Sequence, residues 1–143
     1  MKSQISERFL TEVSKTLSFL HEEYGFGCPR LETELPANMA EVVFLGRNLA
    51  IEFILDERER DVSCKIARVV NGKKTNAYEL DKNGTVVRDS FTNLLLRRGV
   101  RPKFTNVGQL TFEEMIPVTL SDFARLLRAH GNEVLSDLPT AVI

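Results

Sequence analysis

The residues best suited to chemistry are concentrated at one point of the chain. Six consecutive charged side chains run from Asp56 to Asp61 (Asp56, Glu57, Arg58, Glu59, Arg60 and Asp61), with Glu52 before them and Lys65 after them. Acidic residues near a lysine could form a metal-dependent nuclease site, but such a site requires an acid two residues before the lysine. That position holds Ser63. The arginines within the run also weaken the negative field that a divalent cation requires, so we expect no metal ion here.

Histidine and cysteine offer little more. His21 and His130 lie far apart, and neither has a histidine or cysteine three or four residues further on, as helical metal sites do. Gly25-Phe26-Gly27 leads into Cys28-Pro29, which does not open a phosphate-binding helix. We therefore expect no metal and no cofactor.

The two cysteines could pair in a disulfide, although two in 143 residues are not typical of a secreted scaffold. Cys28 could also be a reactive thiol, but with no neighbouring histidine and no helix start we favour a structural or merely exposed cysteine. Cys64 falls on the apolar face of a predicted strand, where a small buried thiol is common. With no nucleophile motif either, the sequence predicts a protein that is not an enzyme.

One basic cluster stands at the end of a predicted helix. It consists of Arg97, Arg98, Arg101 and Lys103. It could contact a phosphate or an acidic partner. Cations in the last turn of a helix also complement the helix dipole, and no aromatic residues are interleaved for base stacking. We favour the structural interpretation.

Composition limits the class of protein. The chain has 143 residues, near the usual size of one domain, so residues 1–143 are predicted to form a single domain. Its net charge of −1 argues against a dedicated nucleic-acid binder. The first residues lack the continuous apolar core of a signal peptide, and no apolar run is long enough to cross a bilayer. We expect a cytoplasmic protein that contacts no membrane.

The charged residues from Asp56 to Asp61 separate two alternating apolar runs. Such alternation predicts a β-hairpin with one buried face and a charged tip. An amphipathic helix is predicted before it, over residues 4–24, closed by Gly25. The predicted strands cover residues 41–45, 49–55, 62–70, 76–80 and 85–88. Together they form an antiparallel meander of four or five strands.

The rest of the chain is predicted to be helical. Ser90 can cap a short helix that ends at Gly99, and residues 100–110 form a loop. Thr111 and Glu114 form a possible capping box for a turn that Pro117 stops. A final helix is then predicted from Thr119 to near Gly131. The fold class is therefore α+β, with one antiparallel sheet packed by an N-terminal helix and C-terminal helices.

The run LAIEFILDERERDVSCKI, from Leu49 to Ile66, lies behind an N-terminal helix that ends in Tyr24-Gly25-Phe26. This combination resembles small uncharacterised bacterial proteins of the toxin-immunity or accessory type. The resemblance covers about residues 5–70, and its motif is structural, so it transfers no site residue. It implies a non-catalytic protein that binds another protein, such as a toxin or effector.

The charged hairpin tip is the candidate recognition element, because projecting charges suit electrostatically steered binding. Two alternatives remain open at this stage. One is a nucleic-acid accessory protein that uses the basic cluster in residues 97–103. The other is a hydrolase whose motifs are not recognised.

Overall fold

A computed structural model describes residues 4–32, 35–70, 73–74 and 88–141 of the chain, and their side chains except at 70, 73–74 and 132–141. The described part is an α+β arrangement, as the sequence predicts. Its elements in chain order are α1 (Gln4–Leu17), α2 (Phe19–Glu22), β1 (Arg30–Leu31), β2 (Met39–Leu45), β3 (Leu49–Asp56), β4 (Asp61–Val70), β5 (Lys73–Lys74), β6 (Arg88–Ser90), α3 (Phe91–Arg97) and α4 (Phe112–Ala141).

The sheet is antiparallel throughout its described strands. Strands β1 to β5 follow one another across it, and β6 pairs with β4 beside β5. In the hairpin of β3 and β4, Phe53 lies opposite Cys64 and Ile51 lies opposite Ile66. The strand predicted over residues 76–80 and most of the one over 85–88 lie outside the described residues.

The core lies between one face of the sheet and the helices. Phe9, Val13 and Leu17 of α1 are fully buried, as are Phe53 and Ile66 of the hairpin. Helix α1 packs on β2, and α4 packs on both α1 and β4. The stripe of the first helix and the inward face of the hairpin therefore share one core, and the Phe53 ring packs edge-to-face on Phe44 of β2 and Phe123 of α4.

The second face of the hairpin is also buried, which corrects the expectation of a single buried face. Ala50, Glu52 and Ala67 are all inaccessible to solvent. The buried carboxylate of Glu52 is neutralised by Arg88, whose Nε and Nη2 donate to its two oxygens at 2.9 and 3.0 Å. The alternation of apolar and polar residues predicted that the second face would be exposed. It did not indicate this burial, because a charged side chain is tolerated in the interior only when it is paired.

The helices differ from the sequence prediction at three points. The helix predicted over residues 4–24 is divided into α1 and α2 at Ser18. Helix α4 runs through Pro117, which does not stop it, and through Gly131, which does not end it. Buried Met115, Ile116 and Leu120 lie on both sides of Pro117, so packing along one helix face outweighs the missing N–H.

The predicted cap of the short helix and the predicted capping box are confirmed, but the final helix begins at Phe112 rather than at Thr119, because the turn before Pro117 continues into it. The Ser90 hydroxyl caps α3 by accepting a hydrogen bond from the amide of Asn93 at 3.0 Å. The capping box before α4 also forms: the Thr111 hydroxyl accepts from the Glu114 amide at 3.1 Å, and the Glu114 carboxylate accepts from the Thr111 amide at 3.0 Å. The hydrogen bond from the Thr111 backbone amide, with a smaller contribution from the Thr111 side chain, holds the pKa of the Glu114 carboxyl below its usual value.

Candidate functional site

A groove of about 330 Å³ opens where four separate elements meet: the start of β4, the start of α3, the segment after α3, and α4. One wall is apolar and is formed by Phe104, Val107, Met115 and Phe123. Much of the remaining lining comes from residues that carry a hydroxyl group: Ser63, Ser90, Thr92, Thr105 and Thr119. Arg60 and Asp61 also line it, so the groove borders the charged hairpin tip.

The hairpin tip, residues 56–61, is an ordered turn rather than a loose loop. The Asp56 carboxylate accepts from the amide of Glu59 at 3.1 Å, and the Glu57 amide donates to the carbonyl of Asn38 at 2.9 Å. Arg60 has a φ of 52°, a left-handed conformation that few side-chain-bearing residues adopt. All six side chains are exposed except Asp56, which is half-buried.

The left-handed turn places the Arg60 side chain beside α4. Its guanidinium lies 5.7 Å from the centre of the Phe112 ring, within the range of a cation–π contact. The tip is therefore connected to the helix that forms the far side of the groove. The two features make one continuous surface.

The segment between α3 and α4 is fixed to α4 by a buried carboxylate. Asp122 is 7% exposed and accepts from both the amide and the hydroxyl of Thr105, at 2.7 and 3.1 Å. Arg125 donates to the carbonyl of Lys103 at 2.6 Å. These bonds, which we call the Asp122 clamp, hold the backbone on both sides of Phe104.

The clamp presents an aromatic ring to solvent. Phe104 packs edge-to-face on Phe123 with ring centres 5.2 Å apart, yet 41% of the residue remains exposed. Phe104 falls in the loop predicted over residues 100–110, and no pattern in the sequence indicates a role for it. The loop is held by the buried carboxylate of Asp122, and an aspartate within an amphipathic helix does not by itself indicate such a contact.

The basic cluster is partly used for structure. Arg97 donates to the carboxylate of Asp89 at 2.7 Å, and Asp89 is buried in β6, two residues before α3. The side chains of Arg98, Arg101 and Lys103 are exposed, but the Lys103 carbonyl belongs to the Asp122 clamp. The four residues lie at the C-terminal end of α3 and in the segment that follows it. They do not line the groove.

The acidic residues considered for a metal site are dispersed. Glu52 is buried in its pair with Arg88, while residues 56–61 project from the tip. Within the described ranges, no three His, Cys, Asp or Glu side chains come together in a metal-binding arrangement. None of the described helices is both long enough and apolar enough to cross a bilayer.

The two cysteines occupy contrasting sites, and both are free thiols. Cys64 lies at the buried base of the groove, where burial and, to a lesser extent, the charge of Glu52 raise the pKa of its thiol well above its usual value. Cys28 is exposed, and its Sγ lies 3.6 Å from Nε2 of His21. The expectation that Cys28 lacks a neighbouring histidine is therefore wrong, because a turn brings together residues seven apart.

Comparison of the chain with models of protein families, with curated proteins and with solved structures found no match.

Proposed function

We propose that this protein is a non-catalytic binding protein of the immunity or accessory kind, which recognises a partner protein through the groove and the hairpin tip. The observation that carries the proposal is Phe104, an exposed aromatic ring held in place by the Asp122 clamp. The partner would be another protein, such as a toxin or effector, that presents an apolar side chain beside a basic patch.

The exposure of Phe104 is best explained by a partner. Covering an aromatic ring fully contributes about 1.5–3 kcal/mol, so leaving it partly in water forgoes some of that stabilisation. Aromatic residues with rigid surroundings are over-represented at the centres of protein interfaces. A ring whose backbone is fixed on both sides loses little further freedom on binding, which favours affinity.

The groove has the composition of a small interface centre. Its apolar wall lies beside hydroxyl groups and is bordered by charges, the order found from the core to the rim of protein interfaces. Its volume of about 330 Å³ is at the lower end of ligand pockets. It suits one or two side chains of a partner better than a cofactor.

The tip defines the charge of the expected partner. Its residues include four acids and two arginines, for a net charge of −2. This charge favours approach by a basic surface and would accelerate association at low salt. Arg60 and Asp61 belong to the tip and also line the groove. A basic patch of the partner that contacts the tip would therefore lie next to the partner's side chain that enters the groove.

The chemistry of the groove supports binding rather than catalysis. Its thiol is Cys64, whose raised pKa keeps it protonated and therefore weakly nucleophilic. Free cysteines at positions 28 and 64 are typical of a reducing compartment, which supports the cytoplasm as the place of action.

The test is site-specific photocrosslinking in the cells that produce the protein. A photoreactive phenylalanine analogue is placed at position 104 and, as a matched control, at position 96. Leu96 is the other large apolar residue with high exposure among those described, at 51%, and it does not line the groove. The proposal expects one predominant protein adduct from position 104 that is absent from position 96.

Binding by the crosslinked protein is then measured with purified components. Phe104→Ala should weaken the affinity by about 30-fold, which corresponds to the 2 kcal/mol of an interface hot spot. Leu96→Ala should change it by less than threefold. Equal effects of the two substitutions, or identical adducts at both positions, would refute the groove as the binding site.

A further inference from the structure

The turn after α2 builds a second site, away from the groove lining, from Cys28 and His21. The Sγ of Cys28 lies 3.6 Å from Nε2 of His21, within reach of a sulfur hydrogen bond. The other ring nitrogen, Nδ1, lies 2.6 Å from the carbonyl oxygen of Phe26. A carbonyl only accepts, so Nδ1 carries the proton of the neutral ring, and the lone pair of Nε2 faces the thiol.

Packing fixes this arrangement. The Phe26 side chain is buried against Gly46, where an added Cβ would lie 2.8 Å from the ring. The Phe26 amide donates to Leu20 at 3.0 Å, and the Gly27 amide donates to Leu45 at 2.9 Å. The turn is therefore attached to both α2 and the sheet, and the thiol stays close to the imidazole.

A thiol, a base within hydrogen-bond reach and a third group that orients the base are the parts of an activated nucleophile. We propose that Cys28 is a reactive thiol that His21 activates for exchange with small-molecule disulfides. The product is a mixed disulfide, a reversible modification of the protein surface.

The exchange balances without any further reagent. His21 Nε2 takes the proton of the Cys28 thiol, and the thiolate attacks one sulfur of the small disulfide. The disulfide bond breaks as the new bond to Cys28 forms, and the released thiolate takes the proton back from the imidazolium. The Cys28 sulfur is oxidised to a disulfide and the released sulfur is reduced to a thiol, so the small disulfide is the oxidant and no other is needed.

The surroundings favour disulfide exchange over acyl transfer. Acyl transfer develops charge on an oxygen, which needs free N–H donors nearby. The amides of Phe26 and Gly27 are already committed to Leu20 and Leu45. Disulfide exchange leaves its charge on sulfur and needs no such donors.

The first measurement is the rate of reaction at pH 7 with a chromogenic aromatic disulfide, using the full chain with Cys64→Ser as background. His21→Asn is the informative variant. The asparagine side-chain amide can still donate to the carbonyl of Phe26, but no atom replaces Nε2 as the base beside the thiol. A free thiol is about 3% ionised at pH 7, so full proton transfer accelerates the reaction at most about 30-fold. We expect His21→Asn to slow the reaction by about five- to tenfold, because it removes the base that takes the thiol proton.

Two further readouts separate activation from simple exposure. If the His21 variant fails to fold, the Cys64→Ser chain in native buffer and in urea gives the same comparison: folded Cys28 should react faster than unfolded Cys28. Mass spectrometry of the native chain with glutathione disulfide should locate the adduct at Cys28 and not at Cys64.

The proposal is overturned by equal rates, within twofold, with and without His21. It is also overturned by a folded chain that reacts no faster than the unfolded one, or by an adduct at Cys64. Binding of a protein partner plays no part in these measurements, so their outcome is independent of the groove.

Discussion

Removing the Asp122 carboxylate should release Phe104 without touching it. Asp122→Ala deletes two hydrogen bonds from Thr105 to a buried charged group, at 2.7 and 3.1 Å. Bonds of this kind contribute about 1.5–3 kcal/mol each, so the gross loss is about 3–6 kcal/mol. Thr105 is exposed, and its amide and hydroxyl regain water when the carboxylate is gone. We therefore expect a net destabilisation of about 2 kcal/mol and a melting temperature lower by roughly 4–8 °C.

The local effect can be measured separately from the global one, because the chain contains no tryptophan. Phe104→Trp provides a single fluorophore at the groove, and Leu96→Trp provides a matched one elsewhere. Asp122→Ala should increase acrylamide quenching of the tryptophan at position 104 and leave that at position 96 unchanged. Glu114→Ala, which removes the capping box of the same helix, should lower the melting temperature without changing quenching at either position. Unchanged quenching at position 104 after Asp122→Ala would refute the clamp.

Four other outcomes are expected. Phe53→Ala should lower the free energy of unfolding by about 3–5 kcal/mol in chemical denaturation, because the ring is fully buried; a loss under about 1 kcal/mol would contradict the packing. Replacing residues 57–59 of the tip with serine should barely move the melting temperature, since exposed charges contribute about 0–1 kcal/mol each, while slowing association with a partner and reducing its salt dependence. Neutralising Arg98, Arg101 and Lys103 should leave nucleic-acid association negligible in a filter or anisotropy assay, as in the unmodified chain; micromolar binding that this variant abolishes would favour the nucleic-acid alternative. A strong chelator should not shift the thermal melt, and a shift of many degrees would reveal a metal site.

The sequence was most informative where local pattern and packing agree. Alternation in Leu49–Asp56 and in the strand after it predicted the hairpin and the face that enters the core, because the side-chain period of a strand is two. Capping residues predicted where α3 begins and the turn that opens α4, because the first amides of a helix need acceptors nearby in sequence. These are local constraints, and the sequence carries them directly.

Prediction failed where distant contacts override a local signal. Pro117 and Gly131 both resemble helix ends, but a buried face continues past Pro117, and Gly131 is buried near Tyr24. The groove was missed for a related reason. Its walls come from four elements, and Phe104 becomes significant only because Asp122, 18 residues further on, holds its neighbours. No periodicity links those positions.

The two cysteines illustrate how the same residue type acquires different properties from its surroundings. Cys64 is buried opposite Phe53, and burial raises the pKa of its thiol, so the thiol at the base of the groove stays neutral and contributes packing. Cys28 is exposed, and its neighbouring base is oriented by the carbonyl of Phe26. That orientation depends on Phe26 being packed against Gly46, a contact between a turn and the end of a strand. The reactivity proposed for Cys28 is therefore a consequence of how the turn packs on the sheet, and the binding proposed for the groove does not require it.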